Sequence, residues 1–267
     1  MILLAMHKPL PAGNTAAHYF TPRLREAFAA ASACPLTVVE APMGYGKTVA
    51  VREFLQKGRA RVVWTPILGP SADACWRTFC HELERCAPET ADAAESLLRL
   101  GFPYDSVRAD AALDILSQAG FATPAVLVFD DCHHLPAQES GKALARFCEL
   151  LAQSGIPKLR MVCVSRDAWD GDGSELLGLK GMLASIGRGA FTLTPPEIRE
   201  YYASCGVSLA QDDADALHAA PAAGSAPCIC TACVTARAAF FRGPRVSTGR
   251  SSRPWWKRRS TRRFPRL

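Results

Sequence analysis

One segment near the amino terminus restricts the fold more than any other part of the sequence. Residues 36–40 form a short run rich in apolar and β-branched side chains, and a loop of small residues follows from Ala41 to Gly46. A helical pattern begins at Lys47. A strand, a glycine-containing loop and a helix in this order are typical of phosphate-binding loops. The segment therefore predicts an α/β fold with an anion site between the strand and the helix.

The residue types in this loop suit the phosphates of a nucleotide. Gly44 and Gly46 let backbone N–H groups turn inward around an anion, and the helix adds the positive end of its dipole. Lys47 supplies a full charge to the β- and γ-phosphates as a catalytic residue, and the Thr48 hydroxyl is suited to coordinate magnesium. Ala41 departs from the usual pattern, which has a more permissive glycine there. We expect ATP or ADP and Mg²⁺ as cofactors, with the nucleotide bound by Ala41, Pro42, Met43, Gly44, Tyr45, Gly46, Lys47 and Thr48.

A second apolar run, Val126–Phe129, ends in the paired acids Asp130 and Asp131. At the carboxyl end of a buried strand, Asp130 would lie beside the phosphates and hold Mg²⁺ together with Thr48, directly or through water. Asp131 would orient or deprotonate the attacking water as a catalytic residue. The alternative is that the two acids simply begin a solvated loop.

Arg166 follows a further apolar run that ends at Val164. Its guanidinium can grip phosphate oxygens in a bidentate manner, so it is a candidate catalytic sensor of the γ-phosphate. It is equally consistent with a surface arginine at the end of a strand. The neighbours of Asp131 do not predict a metal site, because Cys132, His133 and His134 are adjacent on one short turn and have no second cluster nearby.

Short β-branched runs alternate with longer helical stretches, which predicts a five-stranded, mostly parallel sheet flanked by helices. The predicted strands are Leu36–Glu40, Arg61–Thr65, Ala125–Asp130, Leu159–Val164 and Ala190–Thr194. The predicted helices between them are Lys47–Gln56, Ala72–Cys86, Ala91–Arg99, Val107–Ala119, Glu139–Gln153 and Ser174–Ile186. A further helix should run from Thr194 to Ser204, because Thr194, Pro195 and Glu197 form a capping sequence.

Composition separates the body of the chain from its tail. Residues 216–267 carry 11 Lys and Arg and no Asp or Glu, which leaves 20 basic and 25 acidic residues before them. We expect no specific DNA recognition by the tail, since it has no apolar periodicity, and two alternatives stay open for it, namely an unstructured remnant and nonspecific polyanion binding. Nor do three thiols at positions 228, 230 and 233 predict a zinc site without a fourth ligand. The residues from Ala219 onward are typical of out-of-frame translation, so we expect a truncation or frameshift in the gene.

The apolar content of 49% is ample for a buried core. The sequence contains no run of about 20 apolar residues, and the opening apolar run is too short for a signal peptide, so we expect no membrane partner and a cytoplasmic location. The 11 cysteines mostly stand singly in apolar or helical segments, and we interpret them as reduced core residues.

Six segments together resemble the N-terminal NTPase domain of the large ATP-dependent LuxR-type transcription regulators, which are related to the maltose-regulon activator and belong to the STAND class of AAA-like P-loop NTPases. The segments are Tyr19–Leu24, Ala41–Thr48, Val62–Trp64, Phe129–His133, Val164–Arg166 and Phe191–Ile198. The resemblance covers about the first four-fifths of the chain. The form Ala-Pro-x-Gly-Tyr-Gly-Lys-Thr is characteristic of that family, and it accounts for Ala41.

The resemblance implies that the strand before Arg166 lies between the phosphate-loop strand and the Asp130 strand, which would bring Arg166 to the nucleotide. It also implies that Arg23 closes over the adenine side, although Arg23 is equally consistent with a salt-bridged residue at a helix start. The implied organisation is an N-terminal arm (1–20), a P-loop NTPase domain (21–193), a partial winged-helix or helical lid (194–218) and a basic tail of low order (219–267).

The function that the resemblance implies is an ATP-binding signalling module that acts as an ATP/ADP switch with slow hydrolysis. It would associate with itself through the NTPase domain and would lack the sensor arm and the DNA-binding helix-turn-helix of the regulators. Two alternatives remain open, namely a metabolic or nucleic-acid-dependent ATPase and a nonfunctional truncated fragment.

Overall fold

A computed structural model describes residues 19–169, 171–204 and 207–219. The strands are β1 (Leu36–Glu40), β2 (Arg61–Pro66), β3 (Ala125–Asp130), β4 (Leu159–Ser165) and β5 (Leu183–Ile186). The helices are α1 (Pro22–Ala31), α2 (Lys47–Gln56), α3 (Ala72–Cys86), α4 (Ala91–Leu100), α5 (Ser106–Gln118), α6 (Lys142–Ser154), α7 (Ser174–Leu179), α8 (Arg188–Phe191), α9 (Pro195–Ser204) and α10 (Gln211–Ala219).

The five strands form one sheet in the order β2-β3-β4-β1-β5, and every neighbouring pair is parallel. This confirms the predicted α/β fold, and it confirms that the strand before Arg166 lies between β1 and β3. Glu40 pairs with Ser165, and Asp130 pairs with Val164. The carboxyl ends of β1, β3 and β4 therefore lie side by side, so the loops that follow them meet at one edge of the sheet.

Side chains of alternating orientation build a core on each face of the sheet. One face packs against α3 to α6, where Trp76, Phe79 and Phe147 are buried and the Trp76 indole N–H donates to the Leu97 carbonyl at 2.8 Å. The other face packs against α1 and α2, whose Phe28 and Phe54 rings stack with centroids 5.2 Å apart. Burial of each such side chain stabilises the fold by about 1.5–3 kcal/mol.

The helices α9 and α10 share a smaller core of their own, formed by Leu193, Ile198, Tyr201, Tyr202 and Ala214. The start of α9 agrees with the predicted capping sequence, because the Thr194 backbone N–H donates to a Glu197 carboxylate oxygen at 2.7 Å and Pro195 is the first helical residue. A bond between His218 Nδ1 and the Leu193 carbonyl, 2.9 Å long, ties α10 to the segment before α9.

The predicted fifth strand was wrong. Residues 190–194 include the end of the one-turn helix α8, and β5 lies instead at Leu183–Ile186, inside a segment predicted as helix. Helix α7 ends early because Gly181 adopts a φ of 66°, and the Met182 N–H donates back to the Leu177 carbonyl at 2.9 Å. This is the bonding pattern of a Schellman helix end, after which the chain is free to extend.

Several predictions concern residues at the two ends of the chain. Most of the expected arm 1–20 and the tail beyond Ala219 lie outside the described residues, as do the polyanion-binding prediction and the thiols at 228, 230 and 233. Within the described ranges no helix has the length and apolar character needed to cross a membrane. The seven cysteines in these ranges are all free thiols, in agreement with the interpretation from sequence.

Candidate functional site

The loop between β1 and α2 has the backbone that its glycines predict. Gly44 and Gly46 have φ values of 85° and 76°, a left-handed conformation that a side chain would strain. Ala41 needs no such freedom, because it extends β1 and its N–H donates to the Ser165 carbonyl at 3.4 Å. Its side chain is buried, which explains why a small residue suffices at the position where the usual motif has glycine.

The Lys47 side chain lies inside the phosphate loop and bonds to its backbone. Its side chain is buried, and its ammonium group donates to the Ala41 carbonyl at 2.5 Å and to the Pro42 carbonyl at 3.1 Å. Burial lowers the pKa of Lys47, and the charge of Arg166 lowers it further, while Asp131 and Asp130 act in the opposite direction. These four charged groups therefore lie within electrostatic reach of one another at the carboxyl edge of the sheet.

Tyr45 anchors the loop in the core. Its side chain is only 1% exposed and packs into the core under α1 and α2, whereas Met43 in the same loop is 67% exposed. The Arg188 guanidinium carbon lies 5.8 Å from the centroid of the Tyr45 ring, within the range of a cation–π contact. The sequence predicted Tyr45 as a nucleotide-binding residue, and its position inside the core adds a packing role.

Thr48 and Asp130 come together from α2 and β3. The Thr48 hydroxyl donates to the Asp130 carboxylate at 3.0 Å, and Asp130 is almost fully buried. Burial raises the pKa of Asp130, although the Thr48 hydrogen bond lowers it in part. A hydroxyl and a buried carboxylate are hard oxygen ligands of the kind that Mg²⁺ prefers, and a cation there would offset the cost of burying the negative charge. The pair therefore fits the predicted magnesium site.

Asp130→Asn should stabilise the metal-free protein while weakening its use of magnesium. The folded state holds the Asp130 proton more tightly than the unfolded state, so the parent loses stability as pH rises from the usual carboxyl range through the raised pKa. Asparagine carries no charge and should remove this loss. Urea denaturation in EDTA at pH 5 and pH 8 should show that the free energy of unfolding changes less favourably with rising pH for the parent than for the variant, since the other titrating groups are common to both. A variant less stable than the parent at pH 8 would contradict this account.

Asp131 is more exposed than Asp130. Its φ of 63° is a left-handed conformation that aspartate tolerates better than most residues, and its side chain is 40% exposed. One carboxylate oxygen lies 3.8 Å from His133 Nδ1. Asp131 is thus the more solvated of the two acids, as a residue that handles water must be, but its catalytic role stays a prediction.

His133 was not predicted as a site residue, although it adjoins Asp131. Both of its ring nitrogens are buried and have no hydrogen-bond partner in the described part of the chain. Burial lowers the pKa of His133, and Arg166 and His134 lower it further, so the neutral ring is favoured. His134 instead binds the Ile67 carbonyl at 2.6 Å and joins the loops after β2 and β3. No metal-binding cluster of three or more His, Cys, Asp or Glu side chains occurs among the described residues.

Two glutamates, one half-buried and one buried, accept hydrogen bonds from the segment that follows Arg166. Neither was predicted from the sequence as part of the site. Glu40, directly before the phosphate loop, accepts a hydrogen bond from the Trp169 backbone N–H at 2.8 Å. Glu149 of α6 accepts from the Trp169 indole N–H at 3.2 Å and from the Gly173 N–H at 3.0 Å. A Cβ at Gly171 would lie 1.8 Å from a Glu149 carboxylate oxygen, so any larger residue there would displace the Glu149 side chain. The exposed Arg166 is therefore carried by a segment bonded directly to the end of β1.

Arg23 connects α1 to the chain before α9. Its guanidinium donates to the Gly189 carbonyl at 2.9 Å, to the Thr192 carbonyl at 2.7 Å, and to the Glu197 carboxylate at 3.2–3.3 Å. The contacts agree with the reading of Arg23 as a salt-bridged residue at a helix start. A role on the adenine side of the nucleotide stays a prediction.

Comparisons with known proteins agree with this fold. A family profile described as "AAA domain" matches residues 30–163, which include the phosphate loop and the two acids after β3. The structure resembles the crystal structure of Cdc6p from Pyrobaculum aerophilum, with a TM-score of 0.50, 18% identity, and coverage of 85% of this chain and 65% of that one. It also resembles a Walker-type ATPase of Pyrococcus abyssi, with a TM-score of 0.47, 11% identity, and coverage of 84% and 68%. No curated protein matches the sequence.

The likeness to Cdc6p supports the fold alone, since the identity is low and the chain spans less than two thirds of that protein. The profile match is stronger evidence, because it covers half of the chain and the part that holds the predicted site. The loop geometry, the Thr48–Asp130 contact and the parallel sheet agree with it. The chain therefore belongs to the AAA domain family of P-loop NTPases.

Proposed function

We propose that this chain is the ATP-binding module of a signalling NTPase, of the kind found in LuxR-type regulators, and that its ATP- and ADP-bound states act as a switch. Lys47 and the loop N–H groups bind the phosphates, while Thr48 and Asp130 hold Mg²⁺. Arg166 senses the γ-phosphate and Asp131 positions water for slow hydrolysis. Family membership supports nucleotide binding, and the switch role is the further step that we propose.

The observation that carries the switch is a continuous path of contacts from the phosphate loop to α9. Arg188 lies over the Tyr45 ring, and the residues just beyond Arg188 supply the carbonyls of Gly189 and Thr192 to Arg23. Arg23 also pairs with Glu197 in the first turn of α9. A change in the conformation of the phosphate loop can therefore reach the two C-terminal helices through packed and hydrogen-bonded groups.

The Arg23–Glu197 pair has an energy suited to a reversible contact. Burial would raise the pKa of Glu197, but the bonds from Arg23 and Thr194 outweigh this and hold it below its usual range. The pair contributes stability at neutral pH that is lost as pH falls through the lowered pKa. Because the Arg23 side chain is 42% exposed, we expect the pair to contribute only about 0–1 kcal/mol. A nucleotide that binds the state with the Arg23–Glu197 contact broken about tenfold more tightly, a difference of about 1–2 kcal/mol, could break this contact.

Hydrogen–deuterium exchange tests the switch directly. With saturating Mg-ADP and with a nonhydrolysable Mg-ATP analogue, residues 188–204 should exchange at different rates. Glu197→Gln should remove most of that difference and leave the affinity for either nucleotide within about threefold, since Glu197 does not line the phosphate loop. Glu175→Gln serves as the matched control, because Glu175 is exposed in α7 and has no partner in the described ranges.

Two outcomes would overturn the proposal. Equal exchange of residues 188–204 in both nucleotide states would remove the switch, even if nucleotide binds. Rapid multiple-turnover hydrolysis stimulated by a small molecule or by DNA would instead favour an ATPase that acts on its own substrate.

A further inference from the structure

A large cavity lies on the sheet face that α1 and α2 cover, away from the phosphate loop. Its volume is ≈ 520 Å³. Thr37, Val126 and Val162, near the amino ends of β1, β3 and β4, lie on its sheet side, and Phe28 of α1 and Phe54 of α2 line its helical walls. Cavities of roughly 300–1,000 Å³ with mostly apolar walls are the usual sites of small ligands.

The cavity exists because the two faces of the sheet are covered unequally. Four helices, α3 to α6, pack on one face, whereas α1, α2 and the single turn of α8 pack on the other. Among the described residues, the short helices α1 and α2, of 10 residues each, do not cover the amino-terminal part of the central strands on that face. The cavity is therefore a consequence of the fold and not of one misplaced side chain.

The charges around this cavity have one sign. Arg25, Lys57, Arg59 and Arg160 line it, and no Asp or Glu does. Lys57 has a partner, since its ammonium lies 3.1 Å from a Glu53 carboxylate oxygen. Arg59 and Arg160 are exposed and form no ion pair with any acid in the described part of the chain. Two unpaired guanidinium groups beside an apolar cavity are complementary to an anion that carries an apolar body.

The position separates this cavity from the phosphate loop. Lys47 begins α2 at the phosphate loop, whereas the cavity is lined by the other end of the same helix, at Phe54 and Leu55, and by Lys57 beyond it. The residues that line it from β1, β3 and β4 are near the starts of those strands, opposite the edge that holds Asp130 and Arg166. None of the residues that we assign to nucleotide or magnesium lines it.

We propose that this cavity is a second ligand site, which takes a small amphipathic anion. An acyl chain or ring system packs against Val126, Val162 and Phe28, and a carboxylate-like group binds Arg59 and Arg160. Burial of the apolar part of the ligand provides most of the affinity. The guanidinium groups provide the preference for an anion over a neutral molecule of equal length.

Decanoate, below its micellar concentration, is a suitable probe, and decanol is its uncharged match. We expect decanoate added to the full chain without nucleotide to shift the methyl resonances of Val51, Val126 and Val162. Calorimetry should show that the double variant Arg59→Gln/Arg160→Gln binds decanoate about tenfold more weakly and binds decanol unchanged. Arg77 is exposed on the opposite face and forms no ion pair with any described residue, so Arg77→Gln is the matched control and should bind both probes like the parent.

A second variant tests the cavity itself. Leu55 is half-buried and lines the cavity, so Leu55→Phe reduces the cavity volume. This variant should bind both decanoate and decanol more weakly, and its circular dichroism spectrum should be unchanged. Three results would overturn the proposal. The first is that decanoate shifts no methyl resonance, as expected if another part of the chain fills the cavity, and the second is that it shifts only residues outside the cavity. The third is that the parent and the double variant bind decanoate with equal affinity. Because no nucleotide is present, the result is independent of the proposed switch.

Discussion

Lys47→Ala should lower the affinity for Mg-ATP by about 10- to 100-fold. Charge-assisted hydrogen bonds to phosphate contribute about 1.5–3 kcal/mol, and each 1.4 kcal/mol corresponds to a factor of ten in the dissociation constant. In the structure the Lys47 ammonium is buried and bonds the loop carbonyls of Ala41 and Pro42, so it is already held beside the place where phosphates would bind. Isothermal titration calorimetry with Mg-ATP and Mg-ADP measures the loss.

The control for this variant is Lys180→Ala, which removes an exposed ammonium group at the end of α7 and should leave binding unchanged. Lys47→Ala should still fold, because it removes a charge whose burial is itself unfavourable, as the lowered pKa of Lys47 indicates. A cooperative thermal transition would establish this. If the folded variant bound ATP as tightly as the parent, the assignment of the phosphate loop would be wrong.

Tyr45→Ala should lower the free energy of unfolding by about 3–5 kcal/mol, the range seen when a buried aromatic residue is truncated in a core. The Tyr45 side chain is 1% exposed and packs with residues of α1, α2 and the sheet. Its loss would leave a cavity directly under the phosphate loop and remove the ring below Arg188. Urea denaturation of the nucleotide-free protein measures the change.

Met43→Ala is the matched control in the same loop, since Met43 is 67% exposed and should change stability by no more than about 0.5 kcal/mol. Tyr45→Phe should keep most of the packing, so its loss of unfolding free energy should lie between those of Tyr45→Ala and Met43→Ala. A Tyr45→Ala effect as small as that of Met43→Ala would show that the loop does not depend on this anchor.

Local patterns predicted the parts of the site that depend on short segments. The strand β3 is buried along its whole length, and for this reason the sequence shows an uninterrupted run of apolar residues before Asp130 that predicts a strand. The glycines at 44 and 46 predicted a left-handed backbone in the loop, because glycine adopts this conformation more readily than other residues. The phosphate loop and the acid-ended strand predicted that Thr48 and Asp130 share one magnesium ion, and the structure places the two side chains in contact.

The parts that were missed depend on residues far apart in the sequence. No local signal tells that Glu149 of α6 holds the segment after Arg166, or that Tyr45 is buried under α1 and α2. The error at β5 has a local cause as well, because the apolar residues from Leu176 to Ile186 suit a helix until Gly181 ends it. Whether that segment continues as a strand depends on β1, since within the described ranges residues 183–186 pair with residues 36–39 and with no other strand.

The adjacency of β1 and β5 has a consequence for how the chain folds during synthesis. The strand that leads into the phosphate loop pairs with β4 and β5, so Leu36 leaves the ribosome long before its partner Leu183. At roughly 5–20 residues per second, the interval is about 7–30 s. During that time β1 lacks both of the strands that flank it in the sheet, and pairings this distant form slowly. The nascent chain should therefore acquire a functional phosphate loop only after nearly the whole sheet has been translated.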